Sequence, residues 1–279
     1  MNAYADLTTL KSASYLNITA TTHDTYLRKL LEQSSRLIDK YCNRYFYCYN
    51  GTKYFDGKQI LFPKDDILSI TTLQTDEDGD ATFEITFTTG DYHLYPLNDY
   101  PKIRLEINPD GNYGSFASGI KKGVKIIGIF GYGDGLSATP YYSDTTTAEA
   151  LDVAETAIDV ISASNLSVGM TLLLVDSDSN KTNEQIYIQS IDSNTITVKR
   201  GVNGTTDDSH AITKQLYIYE YPQPIIQACL VMAMRAWKRK DSAFQDVVSI
   251  PEYGQLAVYK SVDPDVAETI KQYRKNRYA

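Results

Sequence analysis

The chain has 279 residues, a net charge of −8 and 42% apolar residues, enough for a sizeable core without staples and for two modules. Three cysteines (Cys42, Cys48, Cys229) argue against a disulfide framework. With no run of 18 apolar residues and no charged-then-apolar leader, a soluble protein made in a reducing cytoplasm is expected. The charge is uneven: residues 134–222 carry 13 acidic and 4 basic side chains, residues 223–279 carry 6 and 9. That balance argues against a surface that grips nucleic acid, whose affinity rests on Lys and Arg neutralising phosphates. The 23 tyrosines fit strand surfaces and partly wet interfaces.

The first predicted element is a short helix over residues 5–14. A turn follows, with Thr21 or Thr22 as N-cap. From Asp24 to Cys42 the apolar spacing is helical, through Leu27, Leu30, Leu31, Leu37, Ile38 and Tyr41. Past Cys42 the pattern becomes strand-like. Asn50-Gly51, Asp56-Gly57 and Asp78-Gly79 read as hairpin turns. The runs between them predict strands at Lys53–Phe55, Gln59–Phe62, Leu68–Gln74, Thr82–Phe87, Tyr92–Tyr95, Ile103–Ile107 and Val124–Phe130. Together they predict a compact antiparallel region over 45–133.

Residues 137–220 read as a separate β piece, a small barrel or sandwich. Its predicted strands are Ala150–Val153, Ala157–Ile161, Met170–Val175, Gln185–Ile191, Thr195–Lys199 and Gln215–Tyr219. Pro222 and Pro224 then open a helix over 224–240 that is apolar on most faces, which predicts packing between other elements. After a loop over 241–261, Asp263 caps a last helix over 264–276 with a basic end. The expected fold class is α+β. Residues 1–136 and 221–279 form a helical bundle, built from both chain ends, that encloses the antiparallel region; residues 137–220 are an inserted all-β domain. Leu30, Leu37, Tyr41, Ile226, Leu230 and Trp237 are the expected core of the bundle.

The chemistry-bearing patterns are thin. Cys42 and Cys48 lack the further soft or imidazole ligands of a metal site, because His23, His93 and His210 lie in separate segments. They read as part-buried thiols replaceable by serine or alanine. The acidic turns DEDGD (76–80) and DSDSN (176–180) resemble the opening of a calcium loop. Each lacks glycine at the sixth position and glutamate at the twelfth, so both read as solvated turns. GIFGYGDG (128–135) lacks the Lys-Ser/Thr and the helix of a phosphate cradle, and no G-x-S-x-G occurs. No catalytic, cofactor-binding or metal-ligating residue is assigned, and no enzyme is expected.

Three segments together carry a resemblance. ADLTTLKSASYLNITATTHDTYLRKLLEQSSRLIDKYCNRYF pairs a short and a longer helix with a Y-x-x-R-x-F/Y exit at Tyr41, Arg44 and Phe46. PKDDILSITTLQTDEDGD follows. YPQPIIQACLVMAMRAWKRKDSAF matches a P-x-P-x-x-Q-A pattern with Trp at its end, and VDPDVAETIKQYR closes the chain. Over about residues 5–133 and 215–279 the chain resembles head–tail connector (adaptor) proteins of tailed phages. Residues 137–220 interrupt that pattern; TITVKRGVNGTTDDSHA (195–211) is similar to β modules of other phage structural proteins.

The resemblance implies a virion protein, assembled in the host cytoplasm, that forms a ring at the capsid portal vertex, usually of twelve subunits. Its implied partners are the portal, further copies of itself and a downstream neck, stopper or tail protein. DNA would pass through the channel without specific binding, with no membrane or cofactor involved. It places portal docking on the C-terminal segment, here Asp263, Val266, Ile270, Tyr273, Arg274 and Arg277. Two alternatives are a binding module whose β insert recognises a fibre, decoration protein or glycan, and a hydrolase acting on the cell envelope.

Overall fold

A computed structural model describes residues 2–240, 247–250, 254–257 and 262–275. Helix α1 (Leu7–Lys11) is a single capped turn: the Asp6 carboxylate accepts the Thr9 amide N–H at 2.8 Å, and the helix stops at Ser12, short of the expected length. Helix α2 (Asp24–Cys42) follows its apolar stripe. Its N-cap is His23, which makes no side-chain cap bond. It ends where Asn43 turns left-handed (φ 54°) and its N–H reaches the Asp39 carbonyl, the usual way a helix closes its last turn.

Seven strands follow: β1 (Tyr49–Phe55), β2 (Ile60–Leu61), β3 (Ile67–Thr75), β4 (Ile85–Phe87), β5 (Tyr92–Tyr95), β6 (Arg104–Ile107) and β7 (Val124–Phe130). They form two antiparallel sheets, β1-β7-β3-β4 and β2-β6-β5. Ile67 and Lys102 link the sheets through reciprocal backbone bonds of 2.8 Å. Between them lies a core that includes Leu61, Leu73, Phe87, Leu105, Phe116 and Ile126. Asn50-Gly51 is no turn: it lies inside β1, where Gly51 pairs with Gly128 of β7. Gly128 is fixed by β3 on its other side, since a Cβ there would come within 2.2 Å of the Ser69 carbonyl oxygen.

Residues 137–220 contain β8 (Tyr141–Thr146), β9 (Ala157–Asp159), β10 (Thr171–Val175), β11 (Glu184–Asp192), β12 (Thr195–Lys199) and β13 (Gln215–Tyr219). Their order is β8-β13-β10-β11-β12-β9. The two edges meet: Thr147 bridges to Val160, and the Ala148 N–H donates to the Asp159 carbonyl at 2.7 Å. The sheet thus closes as a small barrel around Leu172, Leu174, Ile186, Ile188, Ile196 and Leu216. Strand β8 has no counterpart among the expected strands, and Ala150–Val153 is not a strand; Leu151 makes only an isolated bridge to His210.

Helix α3 (Gln223–Arg239), the antiparallel pair β14 (Val247–Ile250) and β15 (Gly254–Ala257), and helix α4 (Pro264–Tyr273) complete the described chain. That strand pair lies where a loop is expected. Helices α2, α3 and α4 pack together, with Leu27, Leu31, Ile38, Ile225, Cys229 and Ala233 at their centre.

The expected architecture is therefore corrected. The protein is mostly β, about a fifth of its residues are helical, and no helical bundle encloses the strands. The physical reason is that α1 and α4 span only 5 and 10 residues, too short to wrap a sheet at about 1.5 Å per residue. The sheets and the barrel instead fill cores of their own. The N-terminal segment 2–8 lies at the junction with the barrel. Asn2 bonds to Thr171 and Asn203, the Leu7 N–H donates to the Val168 carbonyl, and Thr8 meets Ser167. On the helical side the Tyr187 hydroxyl donates to Glu32 at 2.8 Å.

Candidate functional site

The exit of α2 and the seat of α4 form one site. Phe46, fully buried, is its hub, with ring centroids of Tyr4, Tyr132 and Tyr273 at 5.5, 5.2 and 5.8 Å. Such tilted and edge-on ring pairs place positive edges against negative faces. Tyr4 also holds the end of α2. Its hydroxyl donates to the Asp39 carboxylate and accepts the Phe46 N–H at 3.1 Å. Arg36 approaches the other oxygen of Asp39 at 3.0 Å and covers the Tyr4 and Tyr47 rings. Burial pushes the Asp39 carboxyl up to about 6, against the pull of Arg36 and the Tyr4 hydroxyl.

Four of the six predicted docking residues fall on this seat. Asp263 caps α4 by accepting the Asp265 N–H and pairs with Arg235 of α3 at 2.9 Å. Val266 is buried, and Ile270 and Tyr273 pack beside it on the helical core, a spacing of four and three residues that keeps all three on one face. Arg274 is exposed. Arg277 lies outside the described residues. The chain locks just past α4. The Lys275 N–H donates to the Cys42 carbonyl at 2.8 Å, and its ammonium stands 2.8 Å from the buried Asp66 carboxylate. Arg44 lies 3.5 Å from the same carboxylate and over the Tyr132 ring. Arg44 and Phe46 of the Y-x-x-R-x-F/Y exit thus both face the seat.

Of the expected core residues, Leu30, Leu230 and Trp237 are buried; Leu37 and Ile226 are half-buried. Tyr41 is corrected: it is 41% exposed. Near the end of α2 the covering chain comes from Tyr4, Phe46 and α4, all on the Asp39–Cys42 side, so Tyr41 faces solvent. Trp237 packs against the His23 ring at 5.0 Å and under the Lys240 ammonium at 3.5 Å.

Cys42, Cys48 and Cys229 are free and buried. Burial pushes the Cys42 thiol up to about 12 and the Cys229 thiol to about 11, and raises Cys48 too. None is a thiolate near neutral pH, so none is poised as a nucleophile.

Two clusters escape a reading of spacing alone. In the 76–84 turn, Asp76 accepts the Gly79 and Ala81 N–H groups at 2.6 and 2.8 Å. Asp76, Asp78, Asp80 and Glu84 bring ligand oxygens within 4.8 Å of one another, so these are residues that could hold a divalent cation. Ala81 adopts the left-handed conformation (φ 71°) that the missing glycine would supply, and Glu84 is the ninth position, which inspection of the sixth and twelfth passes over. Inside the barrel, Glu184 takes a bidentate contact from Arg200 (both 2.6 Å) and the Gly201 N–H. His210 bridges Glu184 at 3.4 Å and Asp176 at 2.9 Å, and Lys214 closes the chain on Asp176. Burial works to raise Asp176, yet Lys214, the Asp178 N–H and His210 hold it well below the usual carboxylate range. Arg200 also donates to the carbonyls of Asp152 and Glu155 in the β8–β9 loop and of Asp208 in the β12–β13 loop, pinning two loops. With its hydrogen-bonding groups engaged this way, the network is a clasp for loops. The only signal for it in the sequence is that Arg200 and His210 both fall in the TITVKRGVNGTTDDSHA stretch.

No family model matches the chain, and neither a curated protein nor a solved structure is similar to it. Among the described residues no helix is long and apolar enough to cross a membrane.

Proposed function

We propose that this chain is a structural adaptor of a phage head–tail junction. Its subunits join in a ring, dock on a portal and extend the channel toward a neck or tail protein. The observation that carries the reading is the way α4 is held. In ten residues it buries one side chain fully, Val266. Ile270 and Tyr273 pack half-buried beside it, and its ends are tied through Asp263–Arg235 and Lys275–Asp66. A segment with so few buried contacts opens at much lower cost than the α2–α3 core. That suits a terminal amphipathic arm that exchanges its own seat for a groove on a partner. The net charge of −8 suits a channel wall along which DNA slides without being held.

The test is electron microscopy of the purified chain mixed with a candidate portal. A ring stacked on the portal is expected, and a chain truncated after Ser261 is expected to melt cooperatively yet fail to bind. A full-length chain that leaves the portal bare would refute the adaptor reading. Undiminished binding by the truncated chain would remove α4 from the docking surface.

A further inference from the structure

We infer that the groove beside the α2 exit receives the acidic end of the barrel from a second copy of this chain. The inference rests on the ring reading above and names the contact such a ring needs. Two adjoining hollows, of about 480 and 290 Å³, share Tyr45 and Asp65 and make one groove. Arg36, Lys40, Arg44, Lys53 and Lys64 line it, against the carboxylates of Asp39 and Asp65. This is a positive surface on a chain of net charge −8. Lys53 is engaged by Asp65, Arg36 by Asp39 and Arg44 by Asp66. Lys40 and Lys64 are exposed and have no ion-pair partner among the described residues. Beside them Tyr45 is 36% exposed, and along the edge strand β1 Tyr49 is 36% and Tyr54 54% exposed. Tyrosine and arginine beside uncovered apolar surface is the composition of a protein–protein contact.

The counterpart lies on the barrel. Residues 149–161, EALDVAETAIDVI, hold Glu149, Asp152, Glu155 and Asp159 and no basic residue. In the same segment Val153 and Ile161 stand 48% and 62% exposed. Carboxylates around two apolar side chains complement ammonium groups around tyrosine rings in both charge and polarity. Among the described residues, no hydrogen bond or ion pair joins this segment to the groove within one chain. Each copy therefore carries both halves of the contact on different surfaces, a head-to-tail arrangement that closes into a ring when the rotation permits. A nucleic acid is the less fitting occupant: the chain's net negative charge repels a polyanion on approach, whereas the barrel end brings apolar groups to cover the tyrosines.

The test is sedimentation equilibrium of the full chain at low and high salt, with carbodiimide coupling to locate the contact. The variants are Lys40→Glu with Lys64→Glu, Asp152→Lys with Asp159→Lys, and the chain carrying all four. All four positions are on the surface, and unchanged melting checks that each variant folds. Salt-sensitive association is expected, with cross-links from Lys40 or Lys64 to the 149–161 segment. Each two-site reversal should weaken association by about tenfold, and the four-site chain should recover to within about threefold of the wild type. Reversals without effect, or a four-site chain that stays as weak as its parents, would overturn the inference. So would a wild-type chain that stays monomeric and uncoupled, or a thymidine oligonucleotide that displaces the second copy from the groove. If the association behaves as expected while portals stay bare in micrographs, the adaptor reading fails and this contact stands.

Discussion

Asp39 sits at the buried end of α2 between the Tyr4 hydroxyl and the Arg36 guanidinium, and its environment sets a pH dependence. Its carboxyl is raised from an ordinary value near 3.8 to about 6 in the folded chain, first by burial. A carboxyl raised on folding favours the folded state below the unfolded value and loses that advantage as pH climbs through the folded value. Between pH 4 and about 6.5, Asp39→Asn should therefore gain stability relative to the wild type, by on the order of 2 kcal/mol across the window. Urea melts at several pH values measure it, and parallel curves would show that Asp39 does not titrate there. Asp66 behaves differently, since its buried carboxylate faces Lys275 at 2.8 Å and Arg44 at 3.5 Å. Asp66→Ala leaves two cations without their counter-charge and should cost about 3 kcal/mol. Lys275→Met should cost much less, because Arg44 remains. Neither site was legible locally. Tyr4 lies 35 residues before Asp39, and Lys275 lies more than 200 residues after Asp66, so no spacing rule joins them.

Helix α4 was legible as an element: Asp263 as cap, Pro264 in the first turn and Val266, Ile270 and Tyr273 on one face. What the pattern could not say was where that face goes, because amphipathicity marks a stripe that needs cover without naming the cover. In the structure the cover is the chain's own Phe46 cluster. Val266→Asp puts a carboxylate into that seat. It should release α4 while α2 and α3 stay packed, seen as loss of amide protection over 264–273 at nearly unchanged protection over 24–42. Loss of protection in all three helices together would mean that α4 belongs to the main cooperative unit. Helices α2 and α3 were read closely because each has a long stripe, whereas Tyr41 was misplaced. Periodicity assigns a face along the whole helix, but cover runs out at helix ends, and there the side supplied with Tyr4, Phe46 and α4 won.

Across the molecule, the helical-bundle expectation gave long apolar helices too much weight and short strands too little. The expected strands Gln59–Phe62 and Thr82–Phe87 do form, shortened to Ile60–Leu61 and Ile85–Phe87; a run this short does not show which strand it pairs with. Their pairings join distant segments, as when Tyr49 meets Phe130. The barrel shows the opposite balance. Its strands β10 to β12 span five to nine residues, β10 as a continuous apolar run and β12 alternating, so its β character could be read, while the closure of β8 on β9 could not. Its stability has two sources. One is the enclosed core of Leu172, Ile186, Ile188 and Ile196; the other is the Glu184–Arg200–His210–Asp176 clasp between loops. Both lie wholly within residues 137–220, so a fragment of that span should fold alone, with a single cooperative thermal transition. Excision bares Leu173, Tyr187 and Tyr219, which pack against the rest of the chain on the outside of the barrel. The fragment should therefore melt below the intact protein and be less soluble. Glu184→Gln in the fragment should lower its stability by about 3 kcal/mol, since Arg200 then stays buried without its charge partner. A fragment with broad, non-cooperative melting would show that contacts such as Tyr187–Glu32 and Asn2–Thr171 hold the barrel together, and that the chain folds as one unit.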